Sequence, residues 1–411
     1  MILLFLISGL FLGWSLGAND ASNLFGSAIG SRLISFRKAA VIASVFVIIG
    51  AVAQGTGTSE TLGKLGNVNA IGGSFTVALA AAVTVYLMTR YALPVSTTQA
   101  IVGAIIGWNI FTGNHTDTKT LTLIVTAWIT GPLLGALFAV LLYIAVKKIK
   151  RAFEINIIRF ESFLKTGLVI AGAFAAYSLG ANNIANVMGV FVPAFNLNEL
   201  HIGFINLSSA QQLFLLGGIS IAAGIITYSK RVMETVGSNI LELSSEAALV
   251  VMLAQALVLF LFSSTSFAEF LKGIGLPSFP MVPVSSSQVI VGSVIGIGLY
   301  KGARNINFRI LGEIASGWIA TPVLAGLTGF FSLFFVKNIF GIDIGRKNSE
   351  SLNLPGAALS PADESLSSVV QYLILALFII GTISALLFFL HEIKKTSELS
   401  RSEEKFWKNL K

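Results

Sequence analysis

The chain has 411 residues, of which 55% are hydrophobic and only 11% are charged. Soluble domains carry about 25% charged residues, so this composition, with a mean hydropathy of +0.84, indicates an integral membrane protein. The absence of cysteine excludes disulfides and thiol catalysis, and three histidines without a paired motif argue against a transition-metal or haem centre. The net charge of +8 does not indicate nucleic-acid binding, because the basic residues cluster beside apolar runs, as they do in cytoplasmic loops.

Apolar runs suited to crossing or entering a bilayer follow one another along the chain. They lie at about 2–29, 39–55, 73–91, 93–111, 120–147, 166–193, 212–229, 247–268, 283–300, 309–337 and 367–391. We interpret 2–16 as the start of an uncleaved first segment, because it lacks the basic flank of a signal peptide.

The intervals between the runs divide the chain further. Residues 148–165 mix Lys and Arg with Phe and Ile at helical spacing, which predicts an amphipathic interfacial connector. Residues 338–366 form a polar loop, 367–391 a final transmembrane helix, and 392–411 a charged C-terminal tail.

Three motifs occur twice and in the same order. SLGANDASN at 15–23 returns as SLGANNIAN at 178–186, and PVSTTQAIVGAIIG at 94–107 returns as PVSSSQVIVGSVIG at 283–296. TAWITGPLLGAL at 126–137 returns as SGWIATPVLAGL at 316–327. The chain is therefore predicted to be a duplication, with one repeat at 1–147 and the other at 166–337.

Lys and Arg predict the orientation of the two repeats. If each run crosses once, the basic loops fall on one side, which makes that side cytoplasmic and the N-terminus external. Five crossings per repeat is an odd number, so the repeats are inverted, as in many transporters. We expect an all-α polytopic membrane protein with discontinuous or re-entrant helices and roughly 11–12 transmembrane segments. The sequence leaves open whether 93–111 and 283–300 cross the bilayer or re-enter it.

The PVS motifs predict two helix starts inside the membrane. Each sets a proline ahead of three hydroxyl residues, which are good N-caps, and a helix N-terminus carries about +0.5 of a charge that attracts anions. The alternative is that the hydroxyls bond only to their own helix, but the proline, the glutamine and the repetition favour an oxyanion site. The residues that we expect there are Ser96, Thr97, Thr98, Gln99, Ser285, Ser286, Ser287 and Gln288.

The stretches at 15–23 and 178–186, called the GAN motifs here, supply acid and amide oxygens. Asp20 and Asn23 are three residues apart and share a helix face, as do Asn183 and Asn186. An acid in apolar surroundings costs about 2.5–3.5 kcal/mol, so a partner is expected, and these oxygens suit an alkali cation. The alternative is that the asparagines only join neighbouring helices. The predicted sodium ligands are Asp20, Asn23, Asn183, Asn186, Gln99 and Gln288, and Asp20 and Asn183 are also predicted to contact the anion.

Charge balance links the two predicted sites. The motifs contain no Lys or Arg, so an anion beside Asp20 needs sodium ions, or a proton on Asp20, to accompany it. Asp20 can accept a hydrogen bond from the O–H of phosphate, which sulfate lacks at neutral pH, and this favours phosphate. Glu60 and Glu234 are candidates for gating or ion access, although solvated loop charges explain them equally well.

At GANDASN, GANNIAN and both PVS stretches, the sequence resembles the inorganic phosphate transporter (PiT) family over nearly its whole length. The resemblance implies phosphate uptake coupled to sodium or protons by alternating access, with these motifs lining the sites. One residue departs from the family pattern, because the second GAND motif commonly keeps its acid and here has Asn183. Some relatives move sulfate, and dimers in the family imply a homodimer.

We therefore expect a secondary active transporter of the cell (plasma or inner) membrane that imports phosphate by symport. Sodium is preferred as the co-transported ion, and no cofactor is expected. The alternatives are a proton-coupled phosphate or sulfate permease, and an anion channel, whose flux would need no sodium or proton gradient. An enzyme is not expected, because no nucleophile with its base and no cluster of metal ligands stands out.

Overall fold

A computed structural model gives the structure of the protein for eleven parts of the chain. The described residues are 2–20, 24–26, 29, 34–66, 68–90, 95–152, 157–195, 197–202, 205–230, 244–302 and 308–345. Those up to Val336, together with Ile342 to Gly345, belong to one compact unit, and a second unit is described only at Lys337–Gly341. The predicted final helix 367–391, the tail 392–411 and most of the loop 338–366 lie outside the described residues.

The described part of the chain is mainly helical, which confirms the predicted fold class. Its helices are α1 (Ile2–Asn19), α2 (Phe36–Gln54), α3 (Thr56–Gly66), α4 (Ile71–Arg90), α5 (Thr97–Thr112), α6 (Thr118–Ala152), α7 (Ile157–Met188), α8 (Ser209–Thr227), α9 (Ser245–Leu261), α10 (Thr265–Gly273), α11 (Ser286–Tyr300) and α12 (Phe308–Asn338). A 3-10 turn at Val192–Ala194 and a small antiparallel hairpin, β1 (Leu200–Ile202) with β2 (Ile205–Leu207), precede α8.

Seven helices among the described residues are long and apolar enough to cross a membrane, and the pair α9–α10, bent by 72°, would make an eighth. The helices α5 and α11 have only 16 and 15 residues. Sixteen residues rise about 24 Å, less than a bilayer core of about 30 Å, so neither helix is long enough to cross alone. The predicted total of roughly 11–12 segments counted both of them and also 367–391.

The structure differs from the prediction at the connector 148–165. Residues 148–152 continue α6 and residues 157–165 begin α7, while 153–156 lie outside the described residues. The predicted interfacial helix therefore belongs in large part to the two long helices beside it. The physical reason is that this interval contains no Gly or Pro, so nothing in it ends the helical pattern of its neighbours.

Close packing at glycines joins α1 to α8 and α7 to α2. A Cβ built on Gly17 of α1 would lie 2.0 Å from the carbonyl oxygen of Ile221 in α8. Its counterpart Gly180 in α7 has the same relation to α2, because a Cβ there would lie 2.1 Å from the carbonyl oxygen of Val47. The two GAN helices are therefore each pressed against a helix of the other repeat, as small residues in membrane helices allow.

Glycine contacts between the repeats also involve the helices that begin at the two hydroxyl triplets, Ser96–Thr98 and Ser285–Ser287. A Cβ on Gly103 of α5 would lie 2.1 Å from the carbonyl oxygen of Pro322 in α12. A Cβ on Gly292 of α11 would lie 2.2 Å from the carbonyl oxygen of Pro132 in α6. Equivalent residues thus make equivalent contacts across the repeats, and this reciprocal packing positions the two triplets.

Side-chain contacts join α6 to α11 and α9, and α2 to α10, near the ends of these helices. The Lys147 ammonium of α6 lies 5.5 Å from the ring centre of Tyr300 in α11, and Lys150 pairs with Glu246 in α9. Elsewhere, the side chain of Gln54, which ends α2, accepts hydrogen bonds from Thr265, which begins α10. The basic stretches that begin at Lys147 and Lys301, which the sequence assigns to one side, therefore do start at one end of the bundle.

Candidate functional site

The two hydroxyl triplets begin helices in the same way. Ser96 caps α5, and its hydroxyl accepts a hydrogen bond from the Gln99 N–H at 3.3 Å. Ser285 caps α11, and its hydroxyl accepts from the Gln288 N–H, also at 3.3 Å. The predicted helix starts are confirmed. Because the Ser96 hydroxyl acts as acceptor toward its own helix, its hydrogen remains available to a ligand. The Ser285 hydroxyl also lies 3.1 Å from the Ser287 hydroxyl and can donate to it.

The two helix starts face each other through their third hydroxyls. Thr98 Oγ1 donates to the carbonyl oxygen of Val284 at 3.5 Å, just before the second triplet. Ser287 Oγ donates to the carbonyl oxygen of Val95 at 3.2 Å, just before the first. This pair of matching bonds brings both positive helix ends to one place.

Two asparagines that sequence patterns did not single out hold the backbone ahead of the triplets. Asn182 accepts from the Val284 N–H at 3.0 Å and donates to the carbonyl oxygen of Val282 at 3.4 Å. Asn19, its counterpart, donates to the carbonyl oxygen of Val95 at 3.5 Å. Their equal positions in the GAN motifs are the sequence signal that could have identified them.

Asp20 lies between the middle hydroxyls of the two triplets. Its carboxylate is buried, with 2% of the residue exposed, and accepts from Thr97 Oγ1 at 3.4 Å and from Asn19 Nδ2 at 3.0 Å. The hydroxyl of Ser286 also lies beside this carboxylate, although it makes no hydrogen bond to a described residue. No lysine or arginine takes part in the hydrogen bonds described for the site, so the carboxylate charge has no cationic partner among them.

The second GAN motif reaches the first triplet. Asn186 Nδ2 donates to Thr98 Oγ1 at 2.9 Å and to Asn183 Oδ1 at 2.9 Å. Both asparagines are almost fully buried. Asn183 stands where the first motif has Asp20, so the site has an amide on one side and an acid on the other.

Several buried side-chain atoms at this place have no hydrogen-bond partner among the described residues. They are Gln99 Oε1, Gln288 Oε1, Asn186 Oδ1, Gln255 Oε1, Ser286 Oγ and Asn183 Nδ2. Each such atom costs about 1–3 kcal/mol if it stays unpaired, so this group of atoms points to a ligand. Most of them are oxygens, which suit a cation, and the amide and hydroxyl can donate to an anion.

Gln255 was not expected from the sequence. It lies in α9, and its Nε2 donates to the carbonyl oxygen of Ser286 at 3.4 Å. A single glutamine inside an apolar run carries no repeated motif, so no sequence signal distinguished it from a glutamine that joins two helices.

The structure thus brings together most of the predicted site residues, which are Asp20, Ser96, Thr97, Thr98, Gln99, Asn183, Asn186, Ser285, Ser286, Ser287 and Gln288. Asn23 and Glu234 lie outside the described residues. Glu60 is exposed on α3 and takes no part in the hydrogen bonds described here. Its gating role stays a prediction, as does phosphate or sodium binding by the others.

Comparison with known proteins gives matches over most of the chain. Residues 16–329 match the sequence profile of a family described as the phosphate transporter family. A protein of Pyrococcus furiosus named as a phosphate permease is 28% identical and covers 80% of this chain and 94% of its own. Inorganic phosphate transporter 2-1, chloroplastic, of Arabidopsis thaliana is 22% identical, over 81% of this chain and 72% of its own.

One solved structure shares the fold. It is named "The sodium-dependent phosphate transporter" and matches with a TM-score of 0.65 at 23% identity. The match covers 82% of this chain and 98% of that one.

Proposed function

The chain belongs to the phosphate transporter family, and on this premise we propose that it imports inorganic phosphate by symport with sodium ions. The observation that carries the proposal is the meeting of two capped helix starts, linked by the Thr98 and Ser287 bonds. The family is one of transporters and not of enzymes, so the site is interpreted as a binding site that moves its ligand.

The anion would lie between the two triplets. Each helix start offers backbone N–H groups without helical partners, a positive partial charge and hydroxyls that can turn to donate. The unpaired Nδ2 of Asn183 supplies a further donor. Asp20 would accept the O–H of a phosphate that keeps a proton, which supports phosphate over sulfate.

Sodium would neutralise the negative charges. Asp20 and phosphate are both anionic, and no lysine or arginine takes part in the described hydrogen bonds of the site, so cations must bind with the anion. The unpaired oxygens of Gln99, Gln288 and Asn186 would be neutral ligands for them. Because Asn183 replaces a second acid, the site needs fewer cations than one with an acid in both motifs. The solved neighbour is named as sodium-dependent, which supports the choice of sodium.

Alternating access would separate the two helix starts, which the Thr98–Val284 and Ser287–Val95 bonds hold together. The reciprocal glycine contacts support two repeats related by inversion, with each triplet carried against helices of the other repeat. Opening to one side would break the Thr98–Val284 or the Ser287–Val95 bond and leave the other in place. We place the protein in the cell (plasma or inner) membrane as a homodimer.

Phosphate flux into proteoliposomes, with sodium and proton gradients imposed separately, tests this function. We expect an inward sodium gradient to drive phosphate accumulation above equilibrium, and a proton gradient alone to drive none. Accumulation driven by protons alone would replace sodium with a proton as the coupling ion. Flux that ignores both gradients would indicate an anion channel. Accumulation of sulfate to the same level as phosphate would identify a sulfate permease.

A further inference from the structure

Two lysines and two tyrosines form a group away from the triplets. The rings of Tyr143 in α6 and Tyr300 in α11 meet edge to face, with centres 5.6 Å apart at 79°. The Lys147 ammonium lies 4.8 Å from the centre of the Tyr143 ring, and the Lys301 ammonium lies 5.4 Å from the same centre. One lysine comes from each repeat, and both ammonium groups lie near the same ring, that of Tyr143.

The charges of these lysines are not matched by acids. Neither Lys147 nor Lys301 has an ion pair with a described residue, whereas nearby Lys150 pairs with Glu246 at 2.5 Å. Two ammonium groups beside one ring repel each other, and an anion between them would remove that repulsion. A phosphate group fits, because its several oxygens can accept from both ammonium groups at once.

The surroundings favour a lipid as the source of that phosphate. Leu141, Ile149 and Leu299 are 54%, 52% and 58% exposed, so apolar surface borders the lysines. Tyr300 is itself 44% exposed. Tyrosine and lysine at the ends of apolar helices are typical of the membrane interface, where headgroups lie. Free phosphate would make no use of the apolar border, but acyl chains would cover it.

We propose that Lys147 and Lys301 together bind the phosphate of an anionic phospholipid, with Tyr143 and Tyr300 as its aromatic floor. The headgroup joins the end of α6 to the end of α11, the helix that begins with Ser285 to Ser287. The lipid therefore stabilises the contact between the repeats from outside the transport site, and its binding does not depend on which ion is transported.

Lipid binding to the full chain in neutral phosphatidylcholine nanodiscs, titrated with phosphatidylglycerol, tests the proposal. We expect the double variant Lys147→Gln/Lys301→Gln to bind phosphatidylglycerol about 30-fold more weakly, and to lose the rise in melting temperature that this lipid gives. Lys165→Gln is the matched control, because Lys165 is exposed and already pairs with Glu161 at 3.1 Å. It is expected to behave as the unchanged protein.

An arginine double variant and melting in the presence of inorganic phosphate test whether the site recognises charge and whether it requires a lipid. Lys147→Arg/Lys301→Arg keeps both charges and is expected to restore binding, which separates charge from loss of folding. Equal affinity of the Gln double variant for phosphatidylglycerol would overturn the proposal. The same holds if inorganic phosphate, added without anionic lipid, raises the melting temperature and this rise is lost in the double variant, because the site would then take free phosphate.

Discussion

Phosphate uptake by an Asp20→Asn variant is expected to fall by about 5- to 150-fold, and its preference for phosphate over sulfate to narrow by a comparable factor. The change keeps the size of the side chain and removes its charge. Asp20 is buried between Thr97 and Ser286, one from each triplet. The variant loses an acceptor for the phosphate O–H and the negative charge that favours a bound cation.

Competition uptake in proteoliposomes, with labelled phosphate against sulfate, measures both effects. Asp117→Asn is the matched control, since Asp117 is a capping residue at the start of α6 and lies away from the triplets. The hydrogen bond from Thr120 holds the pKa of Asp117 below its usual range, so this control also removes a full charge at neutral pH. An Asp20→Asn variant with an unchanged phosphate-to-sulfate ratio would remove the role given to this carboxylate.

Thr98→Val is expected to lower phosphate uptake by about 5- to 150-fold as well, although it keeps the shape of the side chain. Thr98 accepts from Asn186 at 2.9 Å and donates to the carbonyl oxygen of Val284. Without the hydroxyl, the buried amide of Asn186 loses an acceptor, and one of the two bonds between the helix starts is gone. We expect KM for phosphate to rise, because the donors around the anion are no longer held in place.

Thr112→Val provides the control on the same helix. Among the described residues, its hydroxyl bonds only to the backbone of α5 itself, at the carbonyl oxygens of Trp108 and Asn109. Initial rates of uptake, normalised to folded protein and compared with melting temperatures, separate the two variants. If Thr98→Val and Thr112→Val transport equally well, the facing helix starts do not form the substrate site.

The duplicated motifs made the centre of the fold predictable. A proline, a run of hydroxyls and a glutamine define a helix start locally, and Ser96 and Ser285 do cap α5 and α11. The facing of the two starts followed from repetition together with basic loops on one side. A capping pattern depends on a few neighbouring residues, and a repeated motif is visible in the chain itself, so both can be recognised from the sequence.

Other features depend on packing that a single sequence does not show. Asp20 was predicted from the sequence because of its charge, and Asn19 was not predicted. Asn19 nevertheless donates to the carbonyl oxygen of Val95 and so holds the backbone before Ser96. Gln255 has no repeated partner, and only its bond to the carbonyl oxygen of Ser286 distinguishes it. Glu60 follows an apolar run like a gating acid, and α3 places it on an exposed face, where its gating role stays a prediction. Helix boundaries at 148–165 were missed because the basic residues did not end the helices.

The position of the anion in the loaded protein is the most direct test of the account. A cryo-EM map with bound phosphate and sodium is expected to show the anion within about 3 Å of hydroxyls from both Ser96–Thr98 and Ser285–Ser287, beside Asp20. Density for the anion away from these two stretches, with none between them, would contradict the central claim.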